Sequence, residues 1–168
     1  MEHRAKEFAT LYHGSIDQRR KYTNEPYINH PAAVVELVRS VPHSEAMICA
    51  AWLHDVVEDT PCTLDEVERV FGSEVSSLVG MLTNVSRPID GNRAMRRALD
   101  RAHTAKASAQ AKTIKLADLI DNSRSIAAHD PKFAEVCLAE KILLLNVLKE
   151  GDATLMEMAW ALVVTNSR

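Results

Sequence analysis

The chain has 168 residues, 46% of them hydrophobic and 26% charged, a profile that fits one globular domain spanning 1–168 with a core of its own. Its net charge of -3 and pI near 6.2 give no global basic field, so neither nucleic acid nor an anionic membrane is an expected partner. The three cysteines, Cys49, Cys62 and Cys137, lack CxxC spacing, the start lacks a signal-like apolar run, and no segment reaches the ~18 apolar residues of a spanning helix, which together predict a reduced, cytoplasmic protein.

Only 5 Gly and 6 Pro interrupt a chain rich in Ala, Leu and Val, and the expectation is all-α. Residues 2–13 read as an opening helix with Ala5, Phe8, Ala9 and Tyr12 at helical spacing. Residues 14–29 form a polar connection containing Arg19, Arg20 and Lys21. Asn29-His30-Pro31 is a helix entry with Pro31 in the first turn, and that helix turns Ala33, Val34, Leu37 and Val38 inward before stopping near Val41-Pro42. A strongly apolar helix is expected over 44–57. Thr63-Leu64-Asp65-Glu66 has the capping-box pattern for a short helix to Phe71, which Gly72 ends, and another follows at about 73–83.

The segment NVSRPIDGN, 84–92, is the most loop-like stretch. A basic helix with Arg93, Arg96, Arg97 and Arg101 follows over 93–106, its arginines forming a solvated face. Ser108 caps a longer helix to about 127, Asp130-Pro131 opens one to about 149, and Asp152 caps a last one ending near Val164. The sum is a bundle of roughly eight helices with no strand of any length.

One stretch of this bundle poses a charge problem. AMICAAWLHDVVEDT begins as a segment made for burial and ends with His54, Asp55, Glu58 and Asp59 crowded together. An uncompensated buried carboxylate is costly. On one continuous helix, His54 and Glu58 share a face, with Asp55 and Asp59 on the adjacent one. Imidazole and carboxylate together suit Mn, Fe or Zn, and a cation would balance the charge. Further donors are available from His30, at the head of a helix, and from KLADLIDN, where Asp118 and Asn122 stack one turn apart beside apolar Ile114, Leu116, Leu119 and Ile120. A His2Asp2 site of His30, His54, Asp55 and Asp118 follows.

The three segments RRKYTNEPYINHP, HDVVED and KLADLIDN, in that order, resemble the HD-domain metal-dependent phosphohydrolases. More narrowly they resemble the hydrolase domain of the RelA/SpoT alarmone enzymes and the stand-alone small alarmone hydrolases. The resemblance implies that His30, His54, Asp55 and Asp118 bind a divalent metal, in that family most often Mn2+. It also implies that Glu58 and Asp59 handle water and protons, that Arg20 packs on the nucleobase with Lys21 near phosphate, and that Asn122 contacts the nucleotide, with Arg124 near the same mouth. A late aromatic of some family members has no counterpart in CLAEKILLLNVLK.

The chemistry implied is hydrolysis of the 3′-diphosphate of (p)ppGpp or (p)ppApp with release of pyrophosphate; the choice of base stays open. The alternatives are another HD phosphohydrolase, such as a 5′-nucleotidase, and a non-catalytic nucleotide-sensing module. Besides the nucleotide, a second copy in a homodimer and functional pairing with an alarmone synthetase remain open as partners. Asp121 reads as an exposed charge; His3, His13, His43, His103 and His129 read as surface histidines; Cys49, Trp52 and Trp160 read as core residues.

Overall fold

A computed structural model describes residues 1–165. Among them there are ten α-helical segments, one 3-10 turn at Pro88–Asp90 and no strand, so the all-α expectation holds; the only pairing of extended backbone is an isolated bridge between Arg19 and Pro26. The ten exceed the expected count chiefly because the helix predicted over 44–57 is two. No helix of the described residues is long and apolar enough to cross a membrane. The chain divides into two compact units, Met1–Thr83 and a second from Asn84 onward.

The first unit holds α1 (Glu2–Ser15), α2 (Asn29–Arg39), α3 (Glu45–Leu53), α4 (Val56–Asp59), α5 (Leu64–Phe71) and α6 (Ser73–Leu82). Helix α3 packs against α1, α2 and α6. Every residue from Ala46 to Leu53 is buried, so this segment is covered on all sides rather than on one stripe. Ser44 caps its start by accepting from the Met47 amide. Helix α5 starts on the predicted capping box: Thr63 accepts from the Glu66 amide while the Glu66 carboxylate takes the Thr63 amide. Gly72 ends that helix at φ 89°, in the left-handed region that favours glycine.

The second unit holds α7 (Arg93–Ala105), α8 (Ala109–His129), α9 (Pro131–Val147) and α10 (Ala153–Thr165). Helix α8 packs against α9 and α10, and α7 packs against α9. Ser108, Asp130 and Asp152 all accept the predicted N-terminal cap bonds. The exposed Arg93 guanidinium is bound by Glu140 and lies 5.7 Å from the Phe133 ring centroid, so the basic face of α7 is partly tied to α9.

The turn into α10 requires glycine by close approach. A Cβ at Gly151 would lie 2.7 Å from Leu116 Cδ1 and 3.1 Å from both the Leu148 carbonyl oxygen and the Lys112 carbonyl carbon. Leu116 is fully buried and two of the three obstacles are backbone, so little can give. Gly151→Ala is expected to destabilise the protein by about 1–3 kcal/mol, read as a lower urea midpoint; an unchanged midpoint would show that α8 and α10 can separate freely.

Candidate metal centre

The break in the long apolar helix has a local cause. His54 Nδ1 lies 2.8 Å from the Ala51 carbonyl oxygen, which can only accept, so Nδ1 carries the proton. The helical ladder would give that carbonyl to the amide of residue 55; the imidazole takes up the role, and His54 and Asp55 form a turn between α3 and α4. The consequence for the site is larger than the change in helix count. With its proton on Nδ1, His54 presents the lone pair of Nε2, held in orientation by a backbone group.

Three donors converge there. His54 Nε2 is 3.3 Å from His30 Nε2 and 3.0 Å from Asp55 Oδ2, and His30 Nε2 is 3.6 Å from that same oxygen. Both imidazoles are 1% exposed. His30 enters from the first turn of α2, where its amide bonds to the Tyr27 carbonyl and its ring packs against Tyr27 at a tilt of 58°, with centroids 5.6 Å apart. Donor separations of this size suit an ion roughly 2.0–2.2 Å from each atom, and the mixed nitrogen and oxygen set suits a divalent transition metal. His30, His54 and Asp55 can thus hold such an ion.

The polar connection between α1 and α2 is more ordered than its composition suggests. Its backbone folds back on itself: the Tyr27 amide bonds to the Gln18 carbonyl, the Arg20 amide to the Glu25 carbonyl, and the Gln18 amide to the His13 carbonyl. Asp17 and Asn24 take positive φ at the turns, as Asp and Asn tolerate. This pairing sets Tyr27 and Gln18 side by side. Tyr27 Oη donates to Asp55 Oδ2 at 2.6 Å, and Gln18 Nε2 donates to Asp59 Oδ2 at 2.8 Å. Arg20, half-buried, and Lys21, exposed with Nζ 4.9 Å from the Tyr22 ring, lie on the same loop.

Glu58 and Asp59 are neighbours on α4 and both are exposed. Crowding by surrounding protein raises the Asp59 pKa above the ordinary carboxylate range; the Asp55 charge adds to this and the Gln18 amide opposes it. In the second unit, Asp118 is buried on α8, its Oδ2 2.8 Å from Lys115 Nζ and its Oδ1 2.6 Å from Asn122 Nδ2. The predicted stacking of Asp118 and Asn122 is therefore present. Asn122 and Arg124 are exposed, and Asp121 is half-buried.

Sequence reasoning missed Tyr27, Gln18 and His13. Tyr27 had a signal, lying one turn before His30 in PYINHP. His13, expected at the surface, is buried at 2% exposure; it continues the four-residue spacing of the buried Ala5 and Ala9. Removing only the hydroxyl in Tyr27→Phe is expected to weaken binding of a divalent metal about tenfold, because Asp55 loses the bond that orients it. Calorimetric titration of metal-free protein would test this, and an unchanged affinity would mean that Asp55 needs no such support.

A family profile described as HD domain matches residues 5–150. The probable guanosine-3′,5′-bis(diphosphate) 3′-pyrophosphohydrolase of Synechocystis sp. is 38% identical over 128 residues, which are 74% of this chain and 17% of the relative. The guanosine-3′,5′-bis(diphosphate) 3′-pyrophosphohydrolase of Drosophila melanogaster is 39% identical over 117 residues, 68% of this chain and 64% of the relative. The chain thus spans less than two thirds of the length of either relative. Among solved structures, a metazoan orthologue of SpoT, described as hydrolysing ppGpp with a role in starvation responses, matches with a TM-score of 0.86 at 29% identity, over 98% of this chain and 94% of its own. A protein of Listeria monocytogenes matches with a TM-score of 0.69 at 25% identity, over 87% of this chain and 100% of its own.

Proposed function

Since the chain belongs to the HD-domain family, we propose that it is a metal-dependent hydrolase that removes the 3′-diphosphate of an alarmone nucleotide as pyrophosphate. The observation that carries this reading is the convergence of His30, His54 and Asp55 beside the paired carboxylates of Glu58 and Asp59. The activity in the names of the Synechocystis and Drosophila relatives supports it, and favours guanosine as the base. One hydrolase domain over the chain is part of the proposal, supported by a profile match that runs on past Thr83.

When bound, the divalent cation, Mn2+ in this reading, favours ionisation of a water and offsets phosphate charge. His54, His30 and Asp55 hold it, with Asp118 assigned as the remaining ligand on its motif KLADLIDN. The backbone bond from His54 Nδ1 and the Tyr27 hydroxyl on Asp55 fix two of these donors in advance. Glu58 takes the proton of the attacking water, and Asp59, with its raised pKa, is suited to hold a proton that must later be passed on. Arg20 and Lys21 offset charge on the phosphates, while Asn122 and Arg124 contact the nucleotide.

Purified, Mn2+-loaded protein given ppGpp, ppApp and 5′-monophosphates should release pyrophosphate from an alarmone, and the preferred alarmone names the base. Orthophosphate from monophosphates alone would replace the proposal with a nucleotidase. Nucleotide binding without any turnover would replace it with a sensor.

A further inference from the structure

His13 has no ligand or proton-transfer role in the scheme above, yet it is buried in the first unit and linked to it. Its Nδ1 is 2.7 Å from Gln18 Oε1, and Gln18 Nε2 is 2.8 Å from Asp59 Oδ2. Chemistry sets the direction of this chain. A carboxylate only accepts, so Gln18 turns its amino group to Asp59 and its oxygen to His13. An amide oxygen also only accepts, so His13 carries a proton on Nδ1 and donates it.

The other ring nitrogen, Nε2, is buried without a hydrogen-bond partner among the described residues, so nothing competes with Gln18 for the choice of tautomer. Burial lowers the His13 pKa, although the Gln18 bond and the charges of Asp55 and Asp59 act the other way, and the neutral ring is favoured. The brace is also fixed at its base. The Gln18 amide bonds to the His13 carbonyl at 3.0 Å, the Gln18 carbonyl accepts from Tyr27, and the His13 and Tyr27 rings pack with centroids 4.8 Å apart. Gln18 thus has its main chain and both ends of its side chain committed.

We propose that His13 is a positioning residue that acts through Gln18 to hold the Asp59 carboxyl group in the orientation its proton-transfer role needs. This rests on the hydrolase reading, which gives Asp59 a task that depends on aim. A purely structural histidine would need only its volume. A positioning histidine needs a donor at the place of Nδ1.

Two measurements separate these roles. Long-range 1H–15N NMR of the unmodified protein should show His13 protonated on Nδ1; a proton on Nε2 alone would overturn the proposal, and this measurement needs no variant. In metal-loaded protein, His13→Asn puts an amide where Nδ1 stood, His13→Gln puts one where Nε2 stood, and His13→Leu keeps apolar bulk. The Leu and Gln variants are expected to lose about tenfold in kcat with KM and bound metal unchanged, while Asn retains most of it. Equal kcat in all three, high or low, would reduce His13 to packing. An unmodified chain that turns over no alarmone would overturn the hydrolase reading itself, a result distinct from active protein with indifferent variants.

Discussion

Asp55→Asn is expected to abolish stable metal binding while leaving the protein folded. The carboxylate is the negative group of the three that converge, set between two imidazoles that are neutral as ligands. Asparagine keeps the volume and can still accept from the Tyr27 hydroxyl, so the packing around this half-buried position survives. It cannot offer charge, and a loss of roughly 100-fold or more in affinity for a divalent metal follows, at the upper end of what even indirect support of a metal site is worth. Two readouts check it: metal retained per chain after dialysis, and the rise in melting temperature on adding Mn2+, which linkage predicts for any ion that binds only the folded state. Both should vanish with an unchanged circular dichroism spectrum. Asp118→Asn, if Asp118 is a ligand, should behave alike. A variant that keeps its ion would remove that residue from the metal set.

Glu58→Gln is expected to give the opposite pairing of results: full metal content and a loss of about 100- to 10,000-fold in kcat. Glu58 is exposed on α4, so the isosteric amide costs little in folding, but an amide cannot accept a proton from water. Turnover with ppGpp, alongside metal analysis of the same sample, separates proton transfer from metal binding. Retained turnover would move the base to Asp59, whose raised pKa makes it the weaker choice at low pH, where it is more fully protonated.

Much of the fold was legible because helix ends carry local chemistry. Thr63 with Glu66, Ser108, Asp130 and Asp152 each sit where a capping side chain was needed, and Gly72 sits where the chain turns left-handed. The convergence of His30, His54 and Asp55, a group that could hold a metal ion, was foreshadowed because His and Asp at the end of an apolar run demand a compensating charge. The break at His54 was not, since periodicity describes backbone repeats and cannot see an imidazole taking the Ala51 carbonyl. The loop was also misjudged. Polar residues such as Gln18 and Tyr27 signal solvent until one knows that the backbone of 18–27 pairs with itself and turns them inward. His13 lay hidden for a related reason: histidine is neutral in composition terms, and only its register with Ala5 and Ala9 marks it as interior.

Helix α3 has a consequence for how this chain tolerates change. Most helices leave one face on which sequence can drift, but from Ala46 to Leu53 there is no such face. A saturation scan would therefore show an unbroken bar of intolerance there, running straight into His54 and Asp55. The two halves of that bar would mean different things. Substitutions before His54 would lower the amount of folded protein and leave the activity per folded molecule intact, those at the buried, backbone-bonded His54 would lower both, and those at half-buried Asp55 would chiefly lower the activity. Abundance and specific activity measured together would locate the end of the scaffold at a single residue.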